Sequence, residues 1–109
     1  MRSAKVLYKK KEAGVLVQQD DGTFVFHYHP QWVEDASKPP ISLTLPKTNE
    51  PYHSRHLFPF FYHMLPEGTN KQVICHRFRM DEDDHMGILM AVAKTDTIGA
   101  VRVLNTEMQ

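Results

Sequence analysis

The Asp21–Gly22 pair constrains the fold more than any other feature of this sequence. It lies between two runs of β-forming residues, Gly14–Val17 and Thr23–His29. An Asp-Gly pair in this setting is typical of a tight hairpin turn, because glycine tolerates positive φ angles. An earlier run, Lys5–Tyr8, is followed by the polar segment Lys9–Ala13, which we interpret as another turn. The N-terminal third is therefore predicted to form a three-stranded antiparallel meander.

The third predicted strand has one aromatic face, because side chains alternate between the two sides of a strand. The aromatic face carries Phe24, Phe26 and Tyr28. The other face carries Thr23, Val25, His27 and His29. We expect the aromatic face to point into the core.

A proline-rich connection follows the meander. Gln31–Ala36 fits one helical turn, with Trp32 and Val33 packed against the sheet. Ile41–Leu45, ISLTL, alternates apolar and hydroxyl side chains, so its apolar residues, Leu43 included, are expected to face one way. Proline cannot donate a hydrogen bond to a ladder, and Pro46 therefore places this predicted strand near a sheet edge.

The second half of the chain is predicted to hold about three helices. Ser54 is the expected N-cap of an aromatic helix over Arg55–Leu65, and Pro59 indicates that its regular part begins near that residue. A second helix is expected over Lys71–Arg79, with Val73 among its buried residues, and a third over His85–Ala93.

An acidic cap on the third helix and a closing strand after it complete the predicted fold. The acidic run Asp81–Asp84 can cap its N-terminus, where negative charge is favourable. A closing strand, Ala100–Leu104, must return to the early sheet to bury its apolar side. The predicted fold class is α+β: one domain over residues 1–109, with an antiparallel sheet of about five strands and about three helices packed on it.

The composition argues against several classes of protein. The 109 residues have a net charge of +0, and the basic triplet Lys9–Lys11 lies where a solvated turn is expected, so no direct nucleic-acid binding is expected. The longest apolar run, Ile88–Ala93, is too short to span a membrane. Cys75 is the one cysteine, which excludes an intramolecular disulfide and suits a cytoplasmic location.

The sequence lacks the motifs of the common catalytic and metal sites. It has no Walker loop, no kinase catalytic loop and no Asp-Phe-Gly. The seven histidines do not follow a ligand spacing. We therefore predict no enzyme activity, no catalytic, cofactor-binding or metal-binding residues and no cofactor. A small ligand- or metal-binding protein stays open as an alternative.

A protruding corner between the first two predicted helices is the candidate partner-binding surface. Proline and glycine shape this corner, and Glu67 supplies a charge. The predicted partner-binding residues are Trp32, Leu65, Pro66, Glu67, Gly68, Thr69, Asn70 and Lys71. Two alternatives remain: a plain helix–helix turn with Trp32 in the core, or a binding surface on the outer sheet face around Val25, His27 and His29.

Several motifs, in their order and spacing, resemble the N-terminal subdomain of HipA-type toxin kinases. They are Gly14, Phe24–Tyr28, Trp32, Pro40–Pro46 (PISLTLP), Phe60–Phe61, Leu65–Gly68 (LPEG) and Gly99–Val101. The resemblance extends over nearly the whole chain, from the N-terminal hairpin to the closing strand.

The resemblance implies a kinase partner. In HipA-type proteins this subdomain precedes a serine/threonine kinase that acts as a bacterial toxin, and a HipB-like helix-turn-helix protein acts as antitoxin and repressor. In related split systems of the HipBST type, a short HipS-like chain accompanies a truncated HipT-like kinase and is the antitoxin.

The resemblance therefore implies a free-standing antitoxin or regulatory subunit that binds and neutralises a HipA/HipT-like kinase, with a HipB-like protein in the same complex. A structural subunit that completes the kinase without inhibiting it is the alternative. The sequence begins at Met1, which favours a separate chain over a fragment of a longer HipA chain.

Overall fold

A computed structural model describes residues 2–66, 68–95 and 101–105, in which five antiparallel strands form one sheet and four helices accompany it. The elements are β1 (Arg2–Tyr8), β2 (Lys11–Gln18), β3 (Phe24–Tyr28), α1 (Pro30–Glu34), β4 (Tyr52–Ser54), α2 (Pro59–Tyr62), α3 (Gly68–Phe78), α4 (His85–Thr95) and β5 (Val101–Asn105). The strand order is β4-β3-β2-β1-β5. The predicted α+β class is confirmed.

Two tight turns build the meander. Lys9 and Lys10 connect β1 to β2 with φ angles of 48° and 72°. Gly22 has a φ of 89° and donates its N–H to the Gln19 carbonyl at 2.9 Å, which closes the turn between β2 and β3. The hairpin predicted from the Asp-Gly pair is confirmed.

Gly14 lets β2 and β3 pair closely at the centre of the meander. A Cβ atom at this position would lie 2.3 Å from the carbonyl oxygen of His27. That oxygen belongs to the paired backbone, so it cannot move aside as a flexible side chain would.

The closing strand returns to the sheet as predicted. β5 pairs antiparallel with β1, and Val103 lies opposite Val6. Residues 96–100, which include Ala100 of the predicted strand, lie outside the described residues, as do residues 106–109.

The core lies between one face of the sheet and the helices. Phe26 and Phe61 are fully buried, and their ring centroids are 5.7 Å apart in an edge-to-face arrangement. The Phe60 ring lies 5.2 Å from that of Phe61 and is half-buried. The predicted aromatic face of β3 is confirmed, because its three aromatic side chains are all buried.

The strand predicted over Ile41–Leu45 is wrong. This segment forms a tight turn with an isolated bridge between Ser42 and Leu45, and the edge strand is β4 instead. Leu43 is 95% exposed, whereas Ile41 and Leu45 are buried. The Ser42 hydroxyl accepts the Thr44 N–H at 3.2 Å, and this kind of side-chain contact favours a turn over a strand.

The helix predicted over Arg55–Leu65 is much shorter than expected, since α2 covers four residues and Ser54 belongs to β4, but it begins at Pro59, as the proline indicated. The reason is Pro59, the first residue of α2. A proline disfavours helical angles at the preceding residue, and Phe58 accordingly has an extended ψ of 139°.

The third predicted helix is confirmed as α4, and its cap comes from the acidic run. The Asp84 carboxylate accepts the Gly87 N–H at 3.1 Å. It also accepts a hydrogen bond from Arg2 Nη1 at 3.2 Å, which ties α4 to the first strand. This contact with Arg2 lowers the pKa of Asp84 below its usual value near 3.8.

We expect Phe61→Ala to lower the free energy of unfolding by about 3–5 kcal/mol, because a fully buried ring leaves a cavity. The neighbouring Tyr62 is 52% exposed, so Tyr62→Ala should cost less than about 1 kcal/mol. Urea unfolding of both variants measures the difference. Equal losses would show that the two rings are buried alike, contrary to the structure.

Asp84 should make the fold sensitive to acid. A carboxyl group whose pKa is lowered by folding stabilises the native state above its unfolded pKa, and this stabilisation disappears as the pH falls through the folded value. Between about pH 5 and pH 2, Asp84→Asn should therefore lose less stability than the parent chain, by up to about 1 kcal/mol. Urea titrations at both pH values test this, and parallel losses would contradict it.

Candidate partner-binding surfaces

The predicted corner is present between α2 and α3. Leu65 is half-buried and packs against the core, which fits the alternative that it helps to reverse the chain. Gly68 begins α3 with a φ of 57°, a value that favours glycine. Thr69 and Asn70 are exposed, whereas Glu67 lies outside the described residues. The corner therefore offers exposed polar side chains above an apolar base.

An exposed strip of α3 continues from the corner. Val73 is 57% exposed, so its predicted burial is wrong. Cys75 is instead the buried residue of α3, and Ile74 and Phe78 are half-buried. Val73 follows Thr69 by one helical turn, so the two residues share a side of the helix. The strip consists of Thr69, Asn70, Gln72, Val73, His76 and Arg77.

Trp32 does not lie on the corner surface, because its side chain is 4% exposed. Its indole Nε1 donates a hydrogen bond to the Pro39 carbonyl at 2.8 Å. Its ring meets the Tyr8 ring edge-to-face, with centroids 6.0 Å apart. The structure thus fits the core alternative for Trp32, whereas the corner residues keep their predicted role as a hypothesis.

The segment Pro40–Pro46, which we call the proline-bounded turn, is fastened to the core by Tyr28. The buried Tyr28 hydroxyl accepts the Ile41 N–H at 3.1 Å and donates to the Leu45 carbonyl. Burial raises the pKa of Tyr28 above its usual value near 10, which favours the protonated, donating form. One side chain therefore satisfies the backbone on both sides of Leu43.

Lys47 and Tyr52 hold the chain around the proline-bounded turn. The Lys47 ammonium donates to the carbonyls of Lys38 at 2.7 Å, Asp35 at 2.9 Å and Trp32 at 3.3 Å. The Tyr52 hydroxyl donates to the Pro46 carbonyl at 2.6 Å. These contacts fix the ends of a loop whose tip, Leu43, extends into solvent.

The outer sheet face, which is the alternative binding surface, mixes aliphatic and basic side chains. Its half-buried aliphatic residues are Leu7, Val15, Val17, Val25 and Leu104. Lys5 and His27 lie among them. The imidazole of His29 is paired with the Glu12 carboxylate and lies 6.4 Å from the His27 ring, centroid to centroid.

The described residues do not suggest a metal centre, since no three His, Cys, Asp or Glu side chains among them come together in a way that could hold an ion. Cys75 is buried, and its thiol contacts the Asp81 carbonyl at 3.8 Å. Cys75 therefore packs as a small buried hydrophobe, whereas its neighbour His76 is exposed. Within the described helices, none is long and apolar enough to cross a bilayer.

Comparison with known proteins decides the family. A family model described as the HipA N-terminal domain matches residues 4–104. The chain belongs to this family. A solved structure, the N-terminal domain of HipA toxin, matches all of this chain and 96% of its own, with a TM-score of 0.69 and 28% identity. The suspected resemblance is therefore confirmed.

Two relatives place this HipA N-terminal domain in chains of different length. A Haemophilus influenzae protein of unassigned function is 34% identical over 103 residues, which are 94% of this chain and 92% of the relative. A candidate kinase from Sinorhizobium fredii, Y4mE, is 27% identical over 109 residues. This chain spans 26% of Y4mE, so most of that relative lies outside the domain.

The motif residues that carried the resemblance mainly build the fold. Gly14 permits close strand pairing, and Phe61 fills the core. Tyr28 and Trp32 fasten the chain around the proline-bounded turn through the Leu45 and Pro39 carbonyls. Gly99 and Ala100 lie outside the described residues.

Tyr28→Phe should lower the free energy of unfolding by about 1–3 kcal/mol. The ring remains, but a buried N–H and a buried carbonyl lose their partner. Tyr62→Phe removes a hydroxyl from an exposed residue and is the matched control. Equal midpoints of denaturation for Tyr28→Phe and the parent chain would contradict the proposed importance of the hydroxyl.

Proposed function

We propose that this chain is a non-catalytic antitoxin subunit that binds and neutralises a HipA/HipT-like serine/threonine kinase. The observation that carries the proposal is that one domain occurs in two settings. It is 26% of the candidate kinase Y4mE and matches 92% of the Haemophilus influenzae relative. A chain that consists largely of this domain is suited to act on a kinase supplied separately.

The complex is proposed to form in the bacterial cytoplasm and to include a HipB-like helix-turn-helix protein. The kinase supplies the chemistry, and this chain supplies a surface. The corner and the adjoining strip of α3 are the proposed contact with the kinase. They combine exposed Thr69 and Asn70 with Val73, an apolar side chain that is 57% exposed. Protein-binding surfaces combine an apolar centre with a polar rim, and Val73 among these polar side chains has that arrangement.

Co-expression with the HipA-type kinase expected from the neighbouring gene tests the function. We expect the two chains to copurify and the kinase to lose its autophosphorylation activity. The isolated chain, assayed by itself, should have no phosphotransfer activity. Copurification with unchanged kinase activity would favour a structural subunit instead. If the two chains do not associate, the proposed function is wrong.

A double variant tests the corner. Thr69→Glu with Asn70→Glu places negative charge in the first turn of α3, where the helix dipole tolerates it, so folding should be preserved. At the proposed contact the new charges should weaken kinase binding at least tenfold. Gln19→Glu with Gln31→Glu, at two exposed positions outside the corner, changes the net charge by the same amount and serves as the control. If the corner variant folds and binds the kinase with unchanged affinity, the contact with the kinase lies on another surface.

A further inference from the structure

The tip of the proline-bounded turn differs from an ordinary exposed loop. Leu43 is 95% exposed, although Ile41 and Leu45 on either side are buried. A lone leucine at a protein surface is common and requires no explanation. The distinctive feature here is how firmly the surrounding backbone is held.

Two sets of hydrogen bonds hold the turn: one comes from Tyr28 in the core, and the other joins residues of the turn to one another. The Tyr28 hydroxyl bonds to the backbone of Ile41 and Leu45, near the two ends of the turn. Inside it, the Leu45 N–H donates to the Ser42 carbonyl at 3.1 Å, and the Ser42 and Thr44 hydroxyls are 2.9 Å apart. The polar groups of the turn thus bond to one another and to the core, and Leu43 is presented on a backbone that is already ordered.

An ordered backbone matters for binding, because association must otherwise supply the free energy for ordering the loop. Full burial of a leucine side chain is favourable, and here that burial remains available to another molecule. A preorganised apolar side chain that enters a pocket is a common form of interface anchor.

We propose that Leu43 is an anchor residue that inserts into an apolar pocket on the kinase. This inference rests on the proposed function and adds a second contact beyond the corner. The segment Pro39–Pro46, PPISLTLP, carries no charged side chain, so it fits an uncharged protein pocket rather than nucleic acid. The kinase is the assigned occupant because it is the partner in the proposed function, and because this domain is 26% of the candidate kinase Y4mE, where it is joined to the rest of that chain.

The test compares Leu43→Ala with Leu43→Met. Both substitutions should leave the denaturation midpoint unchanged, because the side chain is exposed. Leu43→Ala should weaken binding to the HipA-type kinase encoded by the neighbouring gene about 30-fold. Titration calorimetry with the two purified chains measures this affinity. Leu43→Met keeps a similar apolar volume and should stay within about threefold of the parent.

The outcomes separate the anchor from the proposed function. If the parent chain binds the kinase and Leu43→Ala binds equally well, the anchor is wrong and the proposed function stands. If the parent chain does not bind, both are overturned. If Leu43→Met weakens binding as much as Leu43→Ala, Leu43 does not act through its apolar volume, and the anchor is again wrong.

Discussion

The Tyr28 hydroxyl is the interaction on which the arrangement of this domain most depends. It joins the last strand of the meander to a segment about fifteen residues further on, through the backbone of Ile41 and Leu45. Without it, two buried backbone groups would lack a partner, which costs more than an ordinary surface hydrogen bond. Because the hydroxyl fixes the proline-bounded turn, it also fixes where the chain begins its path to β4, at the edge of the sheet.

The meander could be predicted because its signals are local. Alternating apolar residues and an Asp-Gly turn specify strands within a few positions, and the closing strand follows from the need to bury its apolar side. The proline-bounded turn could not be predicted in this way. Its alternation fits a strand, but a hydroxyl from Tyr28 and the local Ser42 contacts favour a turn. The start of α2 could be predicted for the same local reason, since Pro59 restricts the residue before it.

The candidate surface was harder to predict than the fold, because exposure depends on which helical side packs inward. Val73 and Ile74 are adjacent and both aliphatic, yet Val73 is 57% exposed and Ile74 is half-buried. The sequence contains a usable signal: Ile74 and Phe78 are four residues apart and share a face, about 100° from Val73. Trp32 shows why residue type alone does not decide: tryptophan is favoured at interfaces, whereas here its indole is buried and donates to the Pro39 carbonyl.

In the proposed function the domain acts on a kinase in a separate chain, and this arrangement changes what its surface must achieve. In a fused chain the domain is present at an effective concentration on the order of millimolar, so weak contacts suffice to keep it docked. A separate subunit at micromolar concentration lacks this advantage, and a thousandfold difference corresponds to about 4 kcal/mol. That amount is comparable to one or two well-buried anchors. The fixed turn that carries Leu43 and the strip that carries Val73 are features of the kind that could supply it, because each presents an exposed aliphatic side chain on an ordered backbone.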